Sequence, residues 1–410
     1  MHISLLHLLG SSSWHRYLPL AAAGVLSWGI WIYRVVSSTF MKPVVTDFST
    51  TTSVVVPAFR EDPDVLERCL ESWLAQGPTE VIVVPDVADV EVIERLVRAS
   101  AEHAELRVLP FRHSGKRSAL GHGMRAATGE ILVLSDSDTS WLPGLLAAIQ
   151  MPFADPSVGG VGTQQSVYER TGSVWRRTAD WLLSLRYNNY VPAMARKGAV
   201  SCLSGRTVAY RAAAVIPVIA EMENEVFLGR KCISGDDGRL TWLVLSQGYK
   251  CTHQSSARAE SVFPDDFRTF IKQRVRWSRN SYRTYLTAIY NGWLWSTPLV
   301  TRVTVAQIML TPITIGLTLY FLLTYRLDFS NLTTQAVTAS IASMLVARGI
   351  RGSSHLIRHP GEIVLLPLMT VVAILIALPV KGYAMLTMNK QGWLTRGATS
   401  PPKVQPAPAV

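Results

Sequence analysis

Two adjacent carboxylates and a cationic, aromatic segment are the residues of this 410-residue chain best suited to chemistry. Asp236 and Asp237 lie behind Gly235 in the sequence SGDDGRLTW, and the segment QRVRW follows at residues 273–277. A carboxylate can accept the proton of a hydroxyl group, and clustered cations can stabilise a departing phosphate. The two groups therefore suit a reaction in which a hydroxyl attacks and a phosphate leaves.

A second carboxylate pair, Asp136 and Asp138, follows the apolar run at residues 131–134. The i, i+2 spacing points both side chains to one side of an extended chain. Their hard oxygen ligands suit Mg²⁺ or Mn²⁺ bridging a diphosphate. Taken alone, the pair is equally compatible with a solvated turn or a helix cap.

Residues that end two apolar runs, and a basic turn, are candidate nucleotide ligands. Lys116 and Arg117 in HSGKR open a predicted helix, where cations and free backbone N–H groups make an anion site. Ordinary strand-to-helix turns and an exposed basic turn are the alternatives. The candidates that end the two runs are Pro57, Phe59, Glu61 and Asp86.

β-Branched runs alternate with amphipathic segments from residue 51 onward, which predicts an α/β fold with a doubly wound, mainly parallel sheet. Ligands in such sheets bind beyond the carboxyl ends of the strands. The predicted strands are 53–57, 81–84, 106–109 and 131–134, and the predicted helices are 64–76, 90–101 and 118–127. We further expect a strand at 158–166, a helix at 180–195, a strand–turn–strand at 200–211 and a polar linker before residue 267.

Apolar runs indicate a membrane protein, because 48% of the residues are hydrophobic and only 17% are charged. The run from Tyr17 to Val36 is long enough to span a bilayer, with a cleaved signal peptide as the alternative. Helix 267–289 is expected to lie in the interface, and the tail from Thr399 to be disordered. Basic residues at 348–359 place that loop in the cytoplasm. Three later runs, at 303–325, 332–347 and 363–379, are further candidate spans, one of which is alternatively re-entrant or interfacial.

The net charge of +11 fits nucleic acid, anionic lipid or a phosphorylated substrate as a partner. The apolar runs favour the last two, and the carboxylate pairs would repel a polyanion, so we expect no nucleic-acid partner. The four cysteines have no metal-ligand spacing and are interpreted as buried thiols in a reducing compartment.

Together and in this order, the motifs resemble the processive family 2 glycosyltransferases of membranes, over about residues 50–397. The hyaluronan synthase and chitin-oligosaccharide synthase branch is the most similar. VVVPAFRED resembles its first nucleotide-binding strand, SGKRSAL its diphosphate segment and SDSD its Asp-x-Asp metal motif. CLSGRTVAYR resembles the acceptor segment, SGDDGRLTW the catalytic segment, QRVRW the Gln-x-x-Arg-Trp motif, and PVKGYAMLTMNKQGWLTRG the segment after the last span.

The resemblance implies a GT-A-like, doubly wound mixed sheet with transmembrane and interfacial helices, and it implies a role for each matched residue. Asp237 would be the general base with Asp236 beside it, and Asp138 would bind Mg²⁺ or Mn²⁺. Asp86 and Asp136 would contact the nucleoside, and Lys116 and Arg117 the diphosphate. The acceptor and diphosphate end would be held by Cys202, Ser204, Gly205, Gln273, Arg274, Arg276 and Trp277, with Trp277 offering a flat surface to a sugar ring.

The implied function is processive polymerisation of sugars from a nucleotide-sugar, specifically a UDP-sugar, into a β-linked extracellular polysaccharide with coupled export. The route is inverting, because no second carboxylate is required as a nucleophile. The expected partners are the donor, the growing polysaccharide and membrane lipids, at the inner (plasma) membrane with a cytoplasmic catalytic domain. The expected divisions are an amino-terminal span (1–45), the catalytic domain (46–262), interfacial helices (263–298), carboxyl-terminal spans (299–382) and a final segment (383–410).

Three alternatives remain at this point. The first is transfer of one sugar to polyprenyl phosphate or another lipid, the second a non-catalytic export or scaffold protein, and the third a membrane-attached nucleic-acid binder. The chain also departs from the family pattern at four places. Arg60 replaces the usual Asn near the first strand, and only one amino-terminal span is evident where hyaluronan synthases have two. Residues 85–88 read Pro-Asp-Val-Ala in place of Asp-Asp-Gly-Ser, and Arg206-Thr207 follows Gly205 where hyaluronan synthases have Pro-Leu.

Overall fold

A computed structural model of the chain describes residues 18–112, 114–324 and 334–391. The first residues of the predicted spans that begin at Tyr17 and Leu332 lie outside the described residues. The predicted tail from Thr399 and the GWLTRG end of the motif after the last span lie outside them as well.

An eight-stranded mixed sheet, in the order β3-β2-β1-β4-β7-β6-β10-β5, forms the centre of the chain. β3, β2, β1 and β4 are parallel, as the alternating pattern predicted, while β7 runs antiparallel to both β4 and β6. The strands are β1 (Thr52–Ala58), β2 (Glu80–Pro85), β3 (Leu106–Val108), β4 (Ile131–Ser135), β5 (Thr139–Trp141), β6 (Val158–Val167), β7 (Thr207–Arg211) and β10 (Lys250–Ser261). Strands β8 (Val226–Phe227) and β9 (Arg230–Lys231) form a separate hairpin.

Helices cover both faces of the sheet, which explains why its central strands are continuously apolar. In β1, Val55 packs into one core, while Val54 and Val56 pack into the other. The helices up to β10 are α1 (Leu18–Thr39), α2 (Pro63–Leu74), α3 (Val90–Glu102), α4 (Lys116–Ala126), α5 (Leu145–Gln150), α6 (Val174–Leu185), α7 (Val191–Ala195), α8 (Ala212–Val215), α9 (Ile219–Glu223) and α10 (Asp236–Ser246).

The predicted polar linker is wrong, because residues 250–261 form β10, which lies between β6 and β5 in the sheet. Its buried Gln254 side chain has backbone partners: Gln254 Nε2 donates to Val44 O at 2.8 Å, and Val44 N donates to Gln254 Oε1 at 3.0 Å. Pairing within the sheet thus overrides a composition that is poor in strand formers.

Two further expectations differ from the structure after β6. The strand–turn–strand at 200–211 keeps only its second strand, β7. The helix predicted at 180–195 begins earlier, as α6, and changes to a π-helical turn at Arg186–Tyr190 before α7. Turns of this kind are frequent at functional sites.

The carboxyl-terminal part is helical. Its helices are α11 (Phe267–Tyr290), α12 (Leu299–Thr324), α13 (Thr334–Arg351), α14 (Ser353–Leu356), α15 (Leu366–Val371) and α16 (Ala377–Leu386). Residues Pro360–Leu386 form one helical run through a 3₁₀ and a π turn. In the described part of the chain, two segments are long and apolar enough to cross a membrane, Leu299–Leu317 and Pro360–Leu386, which by length and composition alone is weak evidence of spans.

Helix α11 joins the sheet domain to the last helical run. Its Val275 and Tyr282 pack against Val380 and Ala384 of α16. Arg279 Nη2 donates to Thr387 Oγ1 at 2.8 Å, and Arg283 Nη1 donates to Met388 O at 2.7 Å. The predicted amphipathic helix is therefore present, and it is fixed by packing against α16 and by two arginines that bond to the residues directly after α16.

Candidate active site

A cavity of about 1310 Å³ lies beyond the carboxyl ends of β1, β2 and β4 and is closed by α10 and α11. This is the edge at which doubly wound sheets bind ligands. Of the seventeen predicted site residues, Glu61 and Arg117 do not line it. The fifteen that line it are Pro57, Phe59, Asp86, Lys116, Asp136, Asp138, Cys202, Ser204, Gly205, Asp236, Asp237, Gln273, Arg274, Arg276 and Trp277.

Lys116 connects the two carboxylate pairs. Its Nζ lies 2.8 Å from Asp136 Oδ1 and 2.9 Å from Asp236 Oδ2. Gly205 leaves room for this contact, because a Cβ there would lie 3.2 Å from Lys116 Nζ and 3.3 Å from Asp236 Oδ2. Burial raises the pKa of Asp236, but the Lys116 ammonium outweighs burial and holds it below its ordinary value. Asp236 is therefore ionised and committed to a cation.

Asp237 is the carboxylate of the pair with base character. It lies in the first turn of α10, half-buried, where its Oδ1 accepts a hydrogen bond from Gly238 N at 2.8 Å. Cys202 Sγ, at 3.7 Å, donates weakly to its Oδ2. Burial and the neighbouring charge of Asp236 raise the pKa of Asp237. A carboxylate with a raised pKa binds a proton more tightly and is a better general base.

Asp138 lies in the same cavity with its side chain half-buried. Beside it, Ser137 Oγ donates to Glu61 Oε2, so Glu61 orients the turn rather than facing the cavity. One oxygen of Asp136 is already bonded to Lys116. The hard carboxylate oxygens of Asp138, with the second oxygen of Asp136, fit Mg²⁺ or Mn²⁺.

Arg117 does not line the cavity, although the sequence predicted that it would contact the diphosphate. Its guanidinium is buried, with Nη1 bonded to Glu225 Oε2 at 2.6 Å and Nη2 to Ser234 O at 3.0 Å and Gly235 O at 3.1 Å. Arg117 is thus a positioning residue for the segment that leads into Asp236.

Arg276, in α11, is the cation placed among the carboxylates. Burial lowers its pKa, while the charges of Asp136 and Asp237, foremost among four acidic side chains, act to raise it. Gln273, one turn earlier in the helix, is buried, and its Oε1 has no hydrogen-bond partner among the residues that the structure describes. Both side chains are placed to contact a substrate that enters the cavity.

Trp277 is less open to a sugar ring than the sequence predicted. The guanidinium carbons of Arg206 and Arg274 each lie over its ring, 4.8 Å from the centroid. Phe263 meets the same ring edge-on at a centroid distance of 6.0 Å. The indole therefore supports two cations through its π face.

Three arginines, Arg186, Arg206 and Arg274, form a cationic wall of the cavity. Among the described residues none of the three has a carboxylate within 4.0 Å. Burial, followed by the charges of Arg206 and Arg186, lowers the pKa of Arg274 to about 9. Such a wall suits an anionic or strongly hydrogen-bonding ligand.

Sequence reasoning missed Arg186 as a site residue and treated Arg206 only as a departure from a family pattern. Arg186 reaches the cavity from the π-helical turn, where its Nη2 donates to Cys202 O at 2.9 Å. Arg206 directly follows Gly205, so its position could have indicated the cavity. Other lining residues without a sequence signal include Tyr187, Asn280, Thr284, Tyr285 and Gln391.

Comparisons with known proteins agree with this geometry. Residues 50–280 match a family model described as "Glycosyltransferase like family 2". An N-acetylglucosaminyltransferase of Rhizobium leguminosarum bv. viciae is 29% identical over 89% of this chain and 86% of the relative. One of Azorhizobium caulinodans is 26% identical over 96% of this chain and 99% of the relative. The structure of a Pyrobaculum calidifontis mannosyltransferase, in complex with GDP-Man and Mn²⁺, has a TM-score of 0.65 at 19% identity, covering 92% and 99% of the two chains, and demonstrates the shared fold.

Proposed function

The chain belongs to the glycosyltransferase-like family 2, and we propose that within this family it is a processive, inverting enzyme that makes a β-linked polysaccharide. Membership confirms the family resemblance and establishes the chain as a hexosyltransferase with a GT-A-like mixed sheet. The donor that we propose is a UDP-sugar. N-acetylglucosamine is the first sugar to test, because the curated relatives are named for its transfer.

The observation that carries this proposal is that Asp138 and Asp237 line one cavity. Arg276 lines the same cavity, and the charges of both carboxylates act on its guanidinium. Asp237 accepts the proton of the acceptor hydroxyl as that oxygen attacks the anomeric carbon of the donor. Arg276 and Lys116 stabilise the negative charge of the departing nucleoside diphosphate. Because one displacement suffices, an α-linked donor gives a β-linked product.

A divalent cation fits the pair Asp136 and Asp138. Bound there, Mg²⁺ or Mn²⁺ would neutralise charge on the diphosphate. The nucleoside would lie nearer Asp86, whose Oδ1 accepts from Ala88 N at 2.9 Å and which lines the cavity at the end of β2. The neighbouring Pro57 and Phe59 also face this end of the cavity.

Processivity and membrane attachment are supported by how the cavity is closed. Helix α11 carries the residues that we assign to the acceptor end. It is hydrogen-bonded to Thr387 and Met388, directly after the apolar helical run. We propose an inner-membrane enzyme with a cytoplasmic catalytic domain and the domain divisions given above. The polymer would leave through a channel lined by residues of the 299–325 and 363–380 segments.

Transfer of one sugar to a lipid-linked phosphate is the second candidate. The observation that favours it is the cationic wall of Arg186, Arg206 and Arg274, which suits an acceptor phosphate. The wall is equally suited to the charged or hydroxyl-rich end of a polysaccharide. Product size separates the two candidates.

The experiment uses membranes that contain the full-length chain, incubated with each of several UDP-sugars and with Mg²⁺ or Mn²⁺. We expect a high-molecular-mass product from at least one donor or donor pair, and none without a divalent cation. A product that is a single sugar on an extractable lipid would replace processive synthesis by the second candidate. In proteoliposomes, polymer found only on the side of the catalytic domain would refute coupled export.

A further inference from the structure

A second cluster of metal-ligating side chains lies outside the cavity, where the catalytic domain meets the segment between α13 and the last helical run. Asp180 comes from α6, while His355 and His359 come from α14 and the turn after it. One ligand atom from each of the three residues lies within 4.8 Å of the others. From these residues we propose a structural Zn²⁺ site that fastens the catalytic domain to the carboxyl-terminal helices.

The two histidines have the spacing of a metal-binding turn. His359 N donates to His355 O at 2.9 Å, so the chain between them makes one helical turn that brings the two residues to the same side. His-x₃-His is a common zinc spacing. The two imidazole centroids are 5.0 Å apart. Asp180, from a separate helix, completes a set of two nitrogen ligands and one carboxylate oxygen.

His355 is oriented as metal-bound histidines usually are. Its Nε2 lies 2.6 Å from Glu362 Oε2, which leaves Nδ1 for the metal. A ligating histidine almost always donates its other N–H to a carboxylate or a carbonyl. Trp181 stacks on the same imidazole at a centroid distance of 4.8 Å, and Arg170 Nη1 holds Glu362 at 2.5 Å. The ring is therefore fixed on both its edge and its face.

The charge around Asp180 also points to a cation. Asp180 is only 8% exposed and His355 1% exposed, so the carboxylate is largely withdrawn from water. Two of the contacts made by its oxygens are long: Val167 N donates to Oδ1 at 3.3 Å, and Arg170 Nε lies 3.9 Å from Oδ2. Arg170 is committed to Glu362, so one guanidinium faces two buried carboxylates. A buried carboxylate without full compensation is costly, and a divalent cation would supply the missing charge.

The donor set selects the class of ion. Imidazole nitrogen with a single carboxylate oxygen suits Zn²⁺, whereas Mg²⁺ and Ca²⁺ prefer all-oxygen sites. His359 is half-exposed, so water can reach the cluster and would complete a set of four ligands. The site is thus chemically distinct from the oxygen-only pair Asp136 and Asp138.

Metal analysis of the tag-free, full-length protein in detergent tests the proposal. After equilibration with Zn²⁺ and removal of the excess, we expect about one zinc per chain in the wild type, held by the three protein ligands. Asp180→Asn and His359→Gln, which avoid the most buried ligand, should lose this zinc. Glu362→Gln should weaken zinc binding by about 10–100-fold through the orientation of His355. Substituted Co²⁺ should give visible absorption typical of a tetrahedral site, and the two ligand variants should abolish it.

Two variants serve as controls. His103→Gln changes a histidine that lies outside the cluster and is 42% exposed, so it should retain the zinc. Asp138→Asn should retain it as well, which separates this site from the proposed catalytic metal. Wild-type protein without zinc above the level of His359→Gln would overturn the proposal. So would full zinc content in both ligand variants, whatever the activity of the enzyme.

Discussion

Replacement of Asp237 by asparagine gives the sharpest test of the proposed chemistry. Asparagine keeps the shape of the side chain and an oxygen that accepts from Gly238 N, but it cannot take a proton. Loss of a general base costs about 10²–10⁴ in rate. We expect the upper part of that range, because Asp236 is held by Lys116 and cannot replace Asp237 as the base.

A loss of about 10³–10⁴ in kcat corresponds to about 4–5.5 kcal/mol of transition-state stabilisation. The assay is incorporation of labelled sugar under saturating donor, together with calorimetric titration of UDP. Donor affinity and the thermal midpoint should be unchanged or slightly higher, since the charge that burial and Asp236 disfavour has been removed. A kcat within about tenfold of the wild type would refute the base role.

Asp236→Asn, the equivalent change at the neighbouring carboxylate, tests why the pKa of Asp237 is raised. The measurement is the pH profile of kcat. Asp237 acts as a base only when ionised, so activity falls as the pH drops through its pKa. Part of the raised pKa of Asp237 comes from the charge of Asp236. Removal of that charge should therefore shift the acid limb of kcat to lower pH. An unshifted limb would mean that the limb belongs to another group.

Three further changes test other parts of the structure. Asp138→Asn should raise the Mn²⁺ concentration for half-maximal activity by at least about tenfold, as measured by Mn²⁺ titration. Even the loss of a residue that only supports a metal ligand typically lowers metal affinity by that factor. Arg274→Gln should raise the free energy of unfolding by about 1 kcal/mol while lowering kcat/KM, because it removes a cation that burial and the charges of Arg206 and Arg186 disfavour; denaturant melts and initial rates check both. Gly352→Ala should cost about 1–3 kcal/mol by overpacking, because its Cβ would lie 2.7 Å from the Trp181 ring; thermal unfolding measures this loss.

The first half of the sheet and the cavity edge could be predicted because their signals are local. Runs such as Val54–Val56 are apolar on both faces, and carboxylates at strand ends meet at one edge of a parallel sheet. The same logic failed for β10, whose polar sequence is kept in the sheet by distant partners such as Val44. Residue spacing does not reveal which distant strand will accept a polar segment.

The direction in which individual side chains point also could not be predicted from the sequence. Lys116 and Arg117 are neighbours, and successive residues on a helix point about 100° apart, so only one of them faces the cavity. The pattern of residues did not reveal that Arg117 would find Glu225 instead. Likewise, the three cationic side chains of the cavity wall come from α11, the π turn and the loop before β7, so that their proximity depends on the whole fold.

Helix α11 is continuous over 24 residues, about 36 Å at 1.5 Å per residue. Its first half presents Arg276 and Trp277 to the cavity, and its second half is tied to Thr387 and Met388. A rod of this kind transmits tilt from one end to the other. In the membrane enzyme that we propose, the thickness and composition of the surrounding lipid would therefore alter the reaction rate without any lipid entering the cavity.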